Sequence, residues 1–187
     1  MMEYEEIMLN AEERMENALD ALGSAFGSVR TGRANAKVLD RIKVDYYGAM
    51  TPINQLAGVK TPDARLLVIE PWDKSALKAI ERAIQESDLG VTPSNDGAVI
   101  RLPFPELTEE RRRELAKQCK GYAEDARVSV RNARRDANTA LGKAEKAAEI
   151  TEDDLRSGEA EVQKLTDKYI AKIDEAYKAK ETELMEV

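Results

Sequence analysis

The sequence predicts a mainly α, α+β protein: a long three-helix bundle with a small, β-rich α/β domain inserted after the first helix. Two observations carry this. Apolar residues recur at helical spacing along three long stretches, one near the N-terminus and two in the second half of the chain. Between the first and second stretches, residues 31–105 hold every proline, from Pro52 to Pro105, and short runs with strand patterns. The 35% charged and 5% aromatic content of the 187 residues suits long, surface-rich helices. Residues 1–30 and 106–187 are therefore assigned to the bundle, and 31–105 to the inserted domain.

The first helix is read from Met8, Ala11, Met15, Ala18, Leu22, Ala25 and Val29, alternately three and four residues apart. That is a heptad seam, widened by Ile7, Leu19 and Phe26. A helix with one apolar face needs partner helices to bury it. Gly32 is the expected C-terminal stop, with Arg30 in the last turn where a cation suits the helix dipole.

Residues 42–46 alternate apolar and polar, as in a half-buried strand, and Leu66, Leu67, Val68 and Ile69 form a buried strand between Pro62 and Pro71. A further strand over 53–60 is expected after a Thr51-Pro52 turn. Asp73 is the expected N-cap of a helix over 74–87, with Leu77, Ile80, Ala83 and Ile84 inward. Asn95-Asp96-Gly97 marks a tight turn into a strand over 99–102.

Thr108 caps a helix predicted to run to about residue 149 and about 60 Å long. Its apolar row is Leu115, Cys119, Tyr122, Ala126, Val130, Ala133, Ala137, Leu141, Ala144 and Ala148. The mean spacing of about 3.67 predicts a nearly straight helix. With so many alanines the core beneath it is lean. Thr151 and Asp154 form a capping box and Ile150 can staple to Leu155, which explains the acidic trio Glu152, Asp153 and Asp154 without a metal. In the last helix Leu155, Val162, Leu165, Tyr169, Ile173, Ala176 and Tyr177 face inward. Lys164, Lys168 and Lys172 are read as a solvated row paired with Glu161 and Glu175. The chain leaves the bundle through Arg30, Thr31, Gly32 and Arg33 and returns through Pro103, Phe104 and Pro105, a two-tether hinge.

Net charge is −7, which argues against unspecific coating of nucleic acid by the whole molecule. Residues 106–150 nevertheless carry 11 basic against 9 acidic residues, between ends where acids dominate. On a helix, Arg127, Arg131, Arg134 and Arg135 fall in one sector about 100° wide, beside the apolar positions. The stripe uses arginine throughout, the planar bidentate donor favoured in phosphate recognition. The plain alternative is a solvated helix face. Of nearby carboxylates, Glu124 sits beside the stripe and Asp136 points to another sector.

The single cysteine, Cys119, excludes an intrachain disulfide, and the absence of histidine removes the commonest general base and metal ligand. The acidic N-terminus resembles neither a signal nor a transit peptide, and no apolar run reaches the roughly 20 residues of a membrane span. A cytoplasmic protein without cofactor or metal is expected. No P-loop glycines and no nucleophile-base pair support an enzyme. A helical adaptor for protein partners is the competing class.

Nine collinear words span nearly the whole chain. They are Arg30-Thr31-Gly32-Arg33-Ala34, Val44-Asp45-Tyr46-Tyr47-Gly48, Thr51-Pro52, Pro71-Trp72-Asp73-Lys74, Ser87-Asp88-Leu89-Gly90, Asn95-Asp96-Gly97, Leu107-Thr108-Glu109-Glu110-Arg111-Arg112, the stretch from Arg131 to Asn138, and Gln163-Lys164-Leu165-Thr166-Asp167-Lys168-Tyr169. Together they resemble the bacterial ribosome recycling factor family. The resemblance implies an L-shaped monomer that binds the 70S ribosome after termination, against large-subunit rRNA. With elongation factor G and its GTP hydrolysis, it would split the ribosome into subunits. Mapped onto this chain, the family's rRNA contacts are Arg131, Arg134 and Arg135, with Arg30 and Arg33 at the hinge end; Arg127 is added from the stripe alone. Ala133 and the pair Asn35-Ala36 depart from the family pattern, as do Gly142 and Ala144, which bears on bundle stability and hinge stiffness.

Overall fold

The computed structural model describes residues 3–186. Residues 1, 2 and 187 of the expected bundle domain lie outside the described residues. The chain is mostly helical, with long helices and a small β-sheet domain. It forms two compact units, one of Met1–Phe26 with Ala116–Thr182 and the other of Gly27–Leu115 with Glu183–Val187.

Helix α1 (Tyr4–Ser28) buries Ile7, Met8, Ala11, Met15, Leu22, Ala25 and Phe26 of the expected seam, while Ala18 and Leu19 are half-buried. It ends before Gly32, which does not adopt the left-handed φ of a helix-stopping glycine. Tertiary burial wins over the local rule here. Val29 and Arg30 are buried beyond the helix end, and an Arg30 Nη2 donates to the Pro105 carbonyl at 2.6 Å. Arg30 therefore does not cap the last turn.

Helix α3 (Glu109–Lys146) starts at Thr108, whose Oγ1 accepts from the Arg111 N–H at 3.1 Å. It buries Leu115, Cys119, Ala123, Ala126, Val130, Ala133, Ala137, Leu141 and Ala144. Ala123 takes the inward place read for Tyr122, which is half-buried. The helix stops at Lys146, earlier than the periodicity predicts. Ala148 turns left-handed at φ 57, and its N–H donates to Glu145 O while that of Glu149 reaches Ala144 O, both at 2.9 Å. This pair of bonds is a Schellman cap built on alanine.

Helix α4 (Glu152–Met185) begins with the predicted capping box. The Thr151 N–H donates to Asp154 Oδ2 and the Asp154 N–H to Thr151 Oγ1, each at 3.0 Å. One apolar cluster joins the three helices: Ile7, Met8 and Ala11 of α1, Ala137, Leu141 and Ala144 of α3, and Val162 of α4. Ile150 and Leu155 pack on the same cluster, as the staple requires. Gly158 is buried at this contact: a Cβ there would lie 2.9 Å from Tyr4 Cε2 and 3.0 Å from Leu141 Cδ1. Of the lysine row, Lys168 and Lys172 lie over the Tyr169 ring at 5.5 and 5.3 Å, while Glu161 accepts the Tyr4 hydroxyl at 2.8 Å. Among the described residues no ion pair joins this row to Glu161 or Glu175, and Lys168 and Lys172 meet an aromatic face instead.

In the other unit, β1 (Lys43–Tyr46) and β2 (Ala49–Pro52) form a hairpin, and β3 (Ala57–Asp63), β4 (Leu66–Pro71), β5 (Ser94–Asn95) and β6 (Ile100–Pro103) form an antiparallel sheet in the order β3-β4-β6-β5. The turn of the hairpin is Tyr47-Gly48, both at positive φ (50° and 83°), and not Thr51-Pro52, which lies in β2. Two positive-φ residues give the primed turn that matches strand twist. Residues 53–55 form a 3₁₀ turn before β3, so the strand expected over 53–60 starts later. Asp73 accepts from the Ser75 N–H at 2.9 Å, capping the 3₁₀ turn that leads into α2 (Leu77–Gln85). The core holds Val44, Leu67, Ile69, Ile80, Ile100, Leu102 and Phe104. Both connecting segments are pinned to the β3-β4 turn: the Ala34 N–H donates to Ala64 O and the Phe104 N–H to Arg65 O, each at 2.7 Å.

Candidate nucleic-acid interface

The α3 periodicity that buries Ala126, Val130, Ala133 and Ala137 leaves Arg127, Arg131, Arg134 and Arg135 on the flanking side of the helix. The four guanidinium groups differ in what surrounds them.

Arg127 is enclosed, with its side chain 20% exposed. Its Nη2 and Nε reach one oxygen of Asp174 in α4 at 2.7 and 2.9 Å, and its Nη1 reaches Glu124 at 3.2 Å. Burial pulls its pKa down, but Asp174 and then Glu124 outweigh that and hold it above the ordinary value. Two carboxylates compensate this charge, so Arg127 fastens α3 to α4.

Arg131 is exposed and shares Glu124, with Nη1 3.4 Å from its carboxylate. Arg134 donates from Nη1 to the neutral Oε1 of Gln163 in α4 at 3.2 Å. Arg135 is 71% exposed, and Asp136 lies 3.8 Å from its Nε. That carboxylate is engaged more closely by Arg14 of α1 at 2.8 Å. Positive charge therefore concentrates on Arg134 and Arg135, with Arg131 beside them. Guanidinium forks with free N–H edges are suited to phosphate oxygens.

Arg30 and Arg33 belong to the other unit. Arg33 is exposed, whereas Arg30 is 7% exposed, with its guanidinium carbon 5.5 Å from the Phe104 ring centroid. Burial and then the nearby Arg111 lower the Arg30 pKa from its ordinary value. Of the expected hinge residues, Thr31 is buried beside it and Phe104 is in the core of the unit.

Asp174 and Gln163 were not legible in the α3 sequence. Their signal lies on α4, where Gln163, Asp167 and Asp174 fall within one sector about 40° wide. Among the described residues, no cluster of side chains forms that could hold a metal ion, and no helix is long and apolar enough to cross a membrane.

Known proteins resemble this chain throughout. The family model described as ribosome recycling factor matches residues 22–185. The ribosome-recycling factor of Geobacillus kaustophilus is 62% identical over 182 residues, covering 97% of this chain and 98% of that protein. That of Halalkalibacterium halodurans is 60% identical with the same coverage. A solution structure of the ribosome recycling factor matches with a TM-score of 0.78 at 42% identity, over 100% of both chains. A second match, at TM-score 0.68 and 45% identity, covers 99% of this chain and 100% of the other. It comes from models of the T. thermophilus ribosome recycling factor and E. coli elongation factor G bound to the E. coli post-termination complex. With a family model and relatives matching almost end to end, the chain belongs to the ribosome recycling factor family, translation factors that catalyse no reaction of their own.

Proposed function

We propose that this protein docks on the large subunit of the post-termination 70S ribosome through rRNA phosphates. With elongation factor G and the GTP that factor hydrolyses, it then separates the subunits for a new round of translation. It acts in the cytoplasm as a monomer and performs no covalent step itself. The observation that carries the docking role is the uneven compensation of the stripe. Arg127 spends its charge inside the bundle, whereas Arg134 meets a neutral amide and Arg135 stands in solvent. RNA helices are recognised largely through shape and backbone, for which a row of arginines on a long helix is suited without stacking aromatics.

The role of elongation factor G rests on the relative described, with that factor, in models bound to a post-termination complex. Residues 31–105 act as the domain that receives its push, and Arg30 to Arg33 with Pro103 to Pro105 serve as the hinge. Outside Pro103, the last residue of β6, those hinge residues have no helix or strand.

The test is conversion of post-termination ribosomes into subunits by purified elongation factor G and GTP, with and without this protein. Binding of R131A and R134A to large subunits across a salt series accompanies it. Unchanged affinity and salt slope in both variants refute the docking role, since each lost phosphate contact flattens the slope by about one.

A further inference from the structure

We infer that Gln163 of α4 is a positioning residue for the RNA-binding face, holding Arg134 in place without cancelling its charge. This rests on the docking role proposed above. The Gln163 carboxamide is gripped at both ends: Oε1 accepts from Arg134 Nη1 at 3.2 Å, and Nε2 donates to Asp167 Oδ1 at 3.0 Å. A guanidinium can only donate and an ionised carboxylate can only accept, so the amide has one workable orientation. The chain Asp167, Gln163, Arg134 thereby joins two adjacent turns of α4 to α3.

The same helix edge treats Arg127 differently. There α4 presents a carboxylate, Asp174, at 2.7 Å, and the arginine is neutralised and half-buried. At Arg134 the acidic group is set back by the length of the amide. Its carboxylate holds the amide, and the amide holds the arginine. Only Nη1 is used, which leaves the Nε and Nη2 edge of the fork for the two oxygens of a phosphate. An arginine already oriented loses less side-chain freedom when it binds.

Two substitutions at this exposed position separate the ideas. Q163E places a carboxylate against Arg134, so affinity for purified large subunits should fall roughly three- to tenfold, with a salt slope shallower by about one. Q163M keeps the length but removes both hydrogen bonds. Its affinity should fall by a similar factor while the slope stays that of the parent, because no charge is lost. A role confined to folding would move neither slope, and melting temperatures near the parent's show that the bundle is intact.

If Q163E binds with the parent's affinity and slope while R134A is weakened, the positioning role fails and the docking role stands. If Q163M binds with the parent's affinity, or Q163E weakens binding without flattening the slope, the positioning role fails too. If R131A and R134A also match the parent in affinity and slope, the docking role itself fails.

Discussion

One carboxylate oxygen of Asp174 in α4 receives both Nη2 and Nε of Arg127 in α3, at 2.7 and 2.9 Å. The contact fixes which residues meet across two helices whose packing the sequence predicts but whose register it does not. It also divides the arginine stripe into a structural end and a solvent-facing end.

The first prediction follows from that division. Exposed ion pairs contribute little, but Arg127 is largely enclosed and donates three bonds to two carboxylates. R127A should lower bundle stability by about 1–2 kcal/mol, whereas R135A, in solvent, should stay within about 0.5 kcal/mol of the parent. Urea unfolding of the two variants decides this. Equal midpoints would remove Arg127 from the α3-α4 seam.

The second concerns the end of α3. Ala148 adopts φ 57 with its side chain exposed and both cap hydrogen bonds made. A Cβ is disfavoured in this backbone region, and glycine is the usual occupant of such a cap. A148G should therefore stabilise the protein by about 0.5–1 kcal/mol, despite the greater freedom glycine gives the unfolded chain. A lower thermal midpoint for A148G would contradict this.

The third sets three helical glycines against one another. At Gly121 and Gly142 an added methyl meets nothing within 4 Å. G121A and G142A should each stabilise by about 0.5–1 kcal/mol through helix propensity. At Gly158 the methyl meets Tyr4 and the fully buried Leu141. G158A should cost about 1–3 kcal/mol because those side chains must move in a packed core. Thermal melts of the three variants should show opposite signs. The departure at Gly142 is thus a matter of helix propensity, while the close approach of α4 depends on Gly158.

How far these features could be read in advance follows from how local their causes are. The caps at Thr108, Asp73 and Thr151 with Asp154 involve residues within three positions of each other, and all three form as their sequence words indicate. The seams of α1 and α3 follow helical period, which one-dimensional spacing records directly. The failures have non-local or atypical causes. The rule that ends a helix at glycine does not hold at Gly32, because Val29 and Arg30 find burial earlier. Tyr47 is an aromatic residue in a turn position that usually takes asparagine or glycine, so Thr51-Pro52 gave the stronger turn signal. The stripe itself was visible from spacing within α3. Its compensation by Asp174 and Gln163 was not, since that depends on the register of two helices packed side by side.

The fourth prediction is a pH dependence in the β5-β6 turn. The N–H groups of Val99 and Ala98 donate to Asp96 Oδ1 at 2.9 and 3.0 Å, and Arg101 donates to its other oxygen. These donors, the Val99 N–H foremost, then those of Ala98 and Arg101, hold the carboxyl at about 2 against an ordinary 3.8. Because the folded value is the lower one, the stabilisation is fully present above pH 3.8 and is lost as pH falls toward 2. Asp73 and Asp154 are lowered for the same kind of reason, accepting backbone N–H groups at caps. An NMR titration of the Asp96 side-chain carboxyl carbon should give a midpoint near 2. D96N removes the titrating group but keeps an acceptor oxygen, so its melting temperature should depend less on pH than the parent's between pH 2 and 4. A midpoint at the ordinary carboxylate value would show that the turn does not grip the charged form, and the acid sensitivity would then have to arise elsewhere.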